Sequence, residues 1–407
     1  MSEVTEISKS IRKSSKTRLK FRAILVATVF VIFVASFFFP KHEMTDEQYR
    51  EICEALVSEQ SWEELRSVAT EWSEVASLPD EALFNLADAH LRLDESELAI
   101  STLLEVPYRS PKLFAALITA CDLQFGPGNS PLGGVETLKR MKAMRPDSVT
   151  TRQRLIFFYA VTLQRNHMLE EIYQAIADQS EPPDTYVYLL LSDNLNFSNG
   201  FTKNTEWLQS DPESEVFQVA RIVQLIKSVE QSENQRLKDG LGQYLETFET
   251  LRKQFPENAV LLQFALSRVV DEFDLEEAER LVAQIPAENR DSVLLRRKAW
   301  LKFQQGEFEE CRTLLEQSLA EHALDWHTWH DLAACRRRQG DTQGAQQASQ
   351  IAVQGKELGK ILLQLSDAAA IPPETLLSIS KYAEACGNQP VSVAVYRHLQ
   401  MAGPIPQ

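Results

Sequence analysis

From residue 49 onward the apolar side chains fall at three- and four-residue steps. Tyr49, Ile52, Cys53 and Leu56 come first and, after a pause over Glu59-Gln60-Ser61, Leu65, Ala69 and Trp72 follow. That spacing collects apolar groups on one side of a helix, so the stretch predicts two amphipathic helices joined by a turn. The same frame is filled again 34 residues on, by Leu83, Leu86, Ala87, His90, Leu98-Ala99, Leu103 and Val106. Near the C-terminus, Gln305-Gly306-Glu307-Phe308-Glu309-Glu310-Cys311 returns after 34 residues as Gln339-Gly340-Asp341-Thr342-Gln343-Gly344-Ala345, with Trp329, Leu332, Ala333, Ala348 and Ala352 in the remaining positions. A further copy reads Leu262, Ala265-Leu266, Val269, Leu275, Ala278, Val282 and Ile285. Self-similarity at one fixed period marks a stack of supersecondary units, none of which buries its apolar face alone. The frame is interrupted twice. Phe125 to Gly134 replaces a short turn with a Gly- and Pro-rich loop, and Asp184 to Pro256 still reads as helices but keeps no period.

A unit of this length, with a large residue early in its first helix, a Leu-small pair, a Gly-acid-aromatic turn and small residues on its second helix, resembles the tetratricopeptide repeat family. The resemblance implies an all-α fold, a right-handed α-solenoid of tetratricopeptide-like helix pairs with a concave face. It covers residues 46–183 and, most clearly, 259–359, with 184–258 as degenerate helical repeats and 360–407 as a C-terminal helical cap and tail.

Composition agrees with helices. The 407 residues include only 14 Gly, whereas phosphate loops, tight turns and bulges draw on glycine. Charge divides the chain. Residues 1–22 hold seven basic side chains against Glu3 and Glu6, a local balance of +5 in a chain of net charge −16, which leaves −21 for the remainder. Between the basic tail and a linker at 40–45, residues 23–39 form an uncharged apolar run of 17, about 25 Å of helix at roughly 1.5 Å per residue, at the lower limit for crossing a bilayer. The positive-inside rule then predicts a single transmembrane anchor with a cytoplasmic N-terminus and an extracytoplasmic body. A cleaved signal peptide ending near Val34-Ala35-Ser36 is the rival reading, which the terminal Phe37-Phe38-Phe39 disfavours.

Catalytic signatures are missing: there is no HExxH, G-x-S-x-G, Walker or Rossmann glycine motif, so no cofactor and no enzymatic activity is expected. Cys53, Cys121, Cys311, Cys335 and Cys386 lack paired spacing and read as buried thiols, a Cys311–Cys335 disulfide being the alternative. His322, His327 and His330 cluster with Asp325 and Asp331; His327 and His330 share a helix face, but flanking Trp326 and Trp329 mark them as repeat-surface residues and no metal is expected. A body of net charge −21 without a basic stripe argues against nucleic acid.

In tetratricopeptide repeats certain first-helix positions face the concave groove. By that resemblance they fall here on Arg296, Trp300 and Phe303, then His327, His330, Arg337 and Arg338, placing arginines beside aromatic anchors in an otherwise acidic body. The chaperone-tail subclass expects Lys and Asn where Gln263, Arg297 and Asp331 stand, so that ligand is not expected. The function that follows is a membrane-anchored, non-enzymatic protein-interaction scaffold that takes a partner peptide or helix in the groove. An envelope chaperone or assembly factor with several clients is one alternative, and a ligand-binding or catalytic pocket hidden in 184–258 is the other.

Overall fold

A computed structural model describes residues 44–194 and 199–401. Every regular element among them is helical, and the chain divides after Glu95 into two compact units. The first holds α1 (Asp46–Glu59), α2 (Trp62–Val75) and α3 (Asp80–Arg92). Thr45 opens α1 with a capping box, its hydroxyl taking the Gln48 amide while the Gln48 side chain returns to the Thr45 amide. The core of this unit is Tyr49, Cys53, Leu65 and Trp72 with Ala82 and Ala89, and the Tyr49 and Trp72 rings stack with centroids 5.9 Å apart.

The second unit continues with α4 (Ser96–Leu104), α5 (Leu113–Phe125), α6 (Pro131–Met144), α7 (Val149–Val161), α8 (Arg165–Ala177) and the short α9 (Thr185–Leu191), which ends in a 3-10 turn at Ser192–Asn194. Next come α10 (Gly200–Trp207), α11 (Glu215–Gln231), α12 (Gln235–Lys238) and α13 (Leu241–Gln254). The regular repeats are α14 (Ala259–Glu272), α15 (Leu275–Val282), α16 (Ser292–Gln304), α17 (Phe308–Glu321), α18 (Trp326–Arg338) and α19 (Thr342–Leu363), followed by α20 (Pro373–Ala385) and α21 (Gln389–Met401). This unit is an α-solenoid of antiparallel helix hairpins. Its last helix, α21, returns to pack on α8, and α9 packs on α19.

Two sets of positions explain the hairpins. Ala265, Ala299 and Ala333, spaced by 34, are buried, as are Ala278, Cys311 and Ala345 on the second helices. Small side chains there let neighbouring helices approach closely. The turns inside successive hairpins place one residue in the left-handed region, at Phe273 (φ 58°), Gly306 (φ 79°) and Gly340 (φ 81°). Glycine adopts that conformation without strain, whereas Phe273 tolerates it and packs edge-on to Trp300 at 5.8 Å.

Close approach also governs Gly355 in α19. An added Cβ would lie 2.5 Å from the Trp326 Cβ and 2.4 Å from the Tyr382 hydroxyl oxygen, both in neighbouring helices. Gly355→Ala is therefore expected to lower stability by about 1–3 kcal/mol through overpacking, outweighing the ~1 kcal/mol gain in helix propensity. Gly242 in α13 meets nothing within 4 Å, so Gly242→Ala should raise stability by roughly that gain. Thermal midpoints moving in the same direction for both variants would contradict this packing.

One expectation is corrected. Among the described residues no helix is long and apolar enough to cross a membrane. The physical reason is that these helices are amphipathic: even α19, with 22 residues, carries Lys356, Glu357 and Lys360 on its solvent side. The segment 23–39, on which the single-pass location rested, lies outside the described residues, and that location is not retained.

Candidate functional site

Four segments far apart in sequence meet at Asp193, in the turn after α9. Asp291 caps α16 by accepting the Leu294 amide at 2.9 Å, and Asp325 caps α18 by accepting the His327 amide at 2.9 Å. Arg296, on the second turn of α16, is 5% exposed and donates to both oxygens of Asp325 at 3.2 Å. Its other terminal nitrogen lies 3.0 Å from Asp193, whose second oxygen is 2.9 Å from Arg165 at the start of α8. Arg165 also donates to Ser292 at 2.8 Å. Burial works against ionising Asp325, yet Arg296 and His327 hold its carboxyl well below the ordinary range; the same carboxylates keep Arg296 charged despite its own burial.

Asp193, Asp325 and His327 could bring one ligand atom each within 4.8 Å of one another. The arginines decide against a cation, because the guanidinium of Arg296 already occupies both carboxylates and a second positive charge, Arg165, stands on Asp193. The cluster is an internal ion network that ties α8 and α9 to α16 and α18.

His322, also buried, reinforces the tie. Its Nε2 lies 3.0 Å from the Leu189 carbonyl and 3.3 Å from the Ser192 hydroxyl, and its Nδ1 lies 3.2 Å from the Tyr173 hydroxyl. Glu181 receives Arg397 and His398 from α21.

A cleft of about 490 Å³ opens beside this network. Trp300 and Trp326 supply aromatic walls, Leu190, Leu191 and Leu363 aliphatic ones, and Arg297, His330, Lys356 and Lys360 positive charge, against Asp193 and Asp331. The Lys356 ammonium sits 5.9 Å from the Trp326 ring centroid, and His327 stacks on Trp326 at 3.6 Å. The nearby Asp331 raises the pKa of His330 through a hydrogen bond, favouring its charged form.

Of the residues singled out from sequence, Arg296, Trp300, His327 and His330 line this cleft, although Arg296 is committed to its two carboxylates. Phe303 belongs to a separate cavity of about 200 Å³ behind Trp300 and packs on Phe308. Arg337 borders a different surface groove along α19, and Arg338 is exposed. Sequence reasoning passed over Lys356 and Lys360 and read Trp326 as a packing residue, not as a cleft wall. A signal existed for them: Gly355 and Gly359 mark the face of α19 that approaches Trp326, and the lysines follow each glycine.

The five cysteines are free and buried. Burial pushes the thiols of Cys53 and Cys386 up to about 11 and about 12, which removes nucleophilic thiolate at neutral pH.

No protein-family model matches the chain, and no curated protein sequence matches it. Solved structures similar to it include a human IFIT1 dimer with PPP-AAAA, 12% identical over 84% of this chain and 72% of that one, TM-score 0.32. The APC/C hetero-tetramer Cut9-Hcn1 is 11% identical over 83% of this chain and 66% of that one, TM-score 0.31. At these scores the likeness carries no argument, and the repeat reading rests on the 34-residue frame and the helix pairs themselves.

Proposed function

We propose that the protein is a non-enzymatic interaction scaffold, a right-handed stack of tetratricopeptide-like helix pairs, that receives an acidic segment of a partner protein in the cleft between Trp300 and Trp326. One observation carries this reading. An acidic chain gathers Arg297, His330, Lys356 and Lys360 around two tryptophan side chains, with only two carboxylates in the lining. Basic groups at the rim steer and orient an acidic peptide, while the indoles anchor an apolar residue of it. The volume of about 490 Å³ suits a few side chains of an extended or helical segment, not a whole folded surface. Raised thiol pKa values and an arginine-neutralised carboxylate cluster support the non-enzymatic part of the reading.

Fluorescence anisotropy with labelled twelve-residue peptides of Glu, Asp, Leu and Phe, compared with basic peptides of equal apolar content, tests the cleft. Acidic peptides are expected to bind more tightly, with an affinity that falls as salt rises. Trp300→Ala should weaken them at least about tenfold, and Lys356→Glu combined with Lys360→Glu should weaken them similarly. Equal binding of acidic and basic peptides, or indifference to the charge reversal, would sink the proposal.

A further inference from the structure

A second cavity, of about 240 Å³, shares Asp193, Arg296 and Arg297 with the cleft but has its own walls. Lys227 and Glu230 reach it from α11 in the aperiodic stretch, and Gln263, Ser267 and Arg268 from α14. Arg165, Lys227, Arg268, Arg296 and Arg297 face Asp193, Glu230 and Asp271. Asp193 is shared by Arg165 and Arg296, and Glu230 pairs with Arg268. Arg296 has a further carboxylate outside the lining, Asp325, and Arg297 stands apart among the lining charges. Arg297 has no carboxylate within ion-pair reach among the described residues; its terminal nitrogen donates to the Ser267 hydroxyl at 2.7 Å and its Nε is buried without an acceptor. The Nε atoms of Arg165 and Arg296 are likewise buried and unsatisfied.

Buried donors of this kind are rare in native proteins, and the half-buried guanidinium of Arg297 has no ion-paired carboxylate to offset its desolvation. The Nε groups of the three arginines each lack an acceptor, and Arg297 also lacks a paired carboxylate; the Asp193 oxygens, likewise without a hydrogen-bond donor, lie in ion-pair contact with Arg165 and Arg296. Ser267, which accepts from Arg297, keeps its hydroxyl proton to donate. We propose that this cavity is a binding site for a small dianion, a phosphate monoester or a short dicarboxylate, held on the Nε edge of Arg297 with Ser267 beside it. A guanidinium fork presents paired donors that fit either anion. Burial and the neighbouring Arg296 push the Arg297 pKa down to about 10, a penalty that a bound anion reverses. The cavity is too small for a peptide segment, and although it shares Arg297 with the cleft, the anion site does not rest on the scaffold reading.

The test is isothermal titration and thermal unfolding of the full chain with inorganic phosphate and, separately, with succinate, each against sodium chloride at equal ionic strength. Saturable heat and a midpoint rise of a few degrees above the chloride control are expected with at least one probe. A response to phosphate alone assigns a phosphate ligand, and a response to succinate alone a dicarboxylate. Arg297→Gln should bind at least tenfold more weakly while unfolding no earlier than wild type without anion, since it removes an uncompensated charge. Ser267→Ala should weaken binding several-fold, and it stands in if Arg297→Gln does not fold. Trp300→Ala should leave anion binding unchanged, which separates this site from the peptide cleft. Absence of saturable binding for both probes, or wild-type affinity in Arg297→Gln, would overturn the proposal.

Discussion

Asp325→Ala is expected to cost the protein about 3–5 kcal/mol of folding stability. Asp325 accepts both hydrogen bonds from Arg296 at 3.2 Å, the His327 amide at 2.9 Å and the Thr328 hydroxyl, and it is 4% exposed. Alanine removes the α18 cap, worth about 1 kcal/mol, and leaves Arg296 with Asp193 alone to balance a buried charge that two carboxylates now share. Urea unfolding followed by circular dichroism should show the midpoint falling at unchanged slope, because the same surface is exposed on unfolding. Arg296→Met added to Asp325→Ala should recover part of the loss, since the stranded guanidinium is then gone. A loss below about 1 kcal/mol in the single variant would mean that water, not protein, solvates the cluster.

What sequence could show of this region follows from period. Ala265, Ala299 and Ala333, or Gly306 and Gly340, repeat at 34 because each hairpin solves the same packing problem, so the helical stack was legible from one chain. Gln263, Arg297 and Asp331 keep the same step, and the structure places all three along the two adjoining cavities. Of the two carboxylates on Arg296, Asp325 keeps the step, 34 residues after the corresponding cap Asp291, whereas Asp193 and the Arg165 that holds it obey no period. Asp193 lies in a turn of the aperiodic stretch and Arg165 at the head of α8, brought to α16 only because α9 packs on α19 and α21 on α8. A concave-face position therefore read as an available arginine, while the fold had already given it two carboxylates. Lys356 and Lys360 were missed for a related reason. The helix α19 runs past the length of its repeat, and its added turns supply cleft residues that a 34-residue template does not contain. The location inferred for the body rested on residues 23–39 alone, and the described helices supply no apolar span in their place.

Acid should loosen the same closure through His322. Burial, aided by the positive charge of Arg165, pushes this imidazole down to about 4, although Asp193, Asp325 and the Leu189 carbonyl act in the opposite direction. The folded state therefore holds a neutral ring where the unfolded chain titrates near 6.5. Between those values the unfolded state binds the extra proton, so stability is fully present above about pH 6.5 and is lost as pH falls towards about 4, by roughly 3 kcal/mol in all. His330 has the opposite sign, its pKa being raised by Asp331, but it is exposed and solvent screens its contribution. His322→Gln keeps a donor and an acceptor at the Leu189, Ser192 and Tyr173 contacts without a titrating proton. It is expected to be less stable than wild type at neutral pH and to show a much flatter urea midpoint between pH 6.5 and 4. If the variant kept the wild-type slope between pH 6.5 and 4, the assignment to His322 would be overturned, because Asp325, whose carboxyl Arg296 and His327 hold well below the ordinary range, loses its contribution only below about pH 4. The two windows scarcely overlap, so a single series of unfolding curves against pH separates the histidine tie from the arginine network that lies beside it.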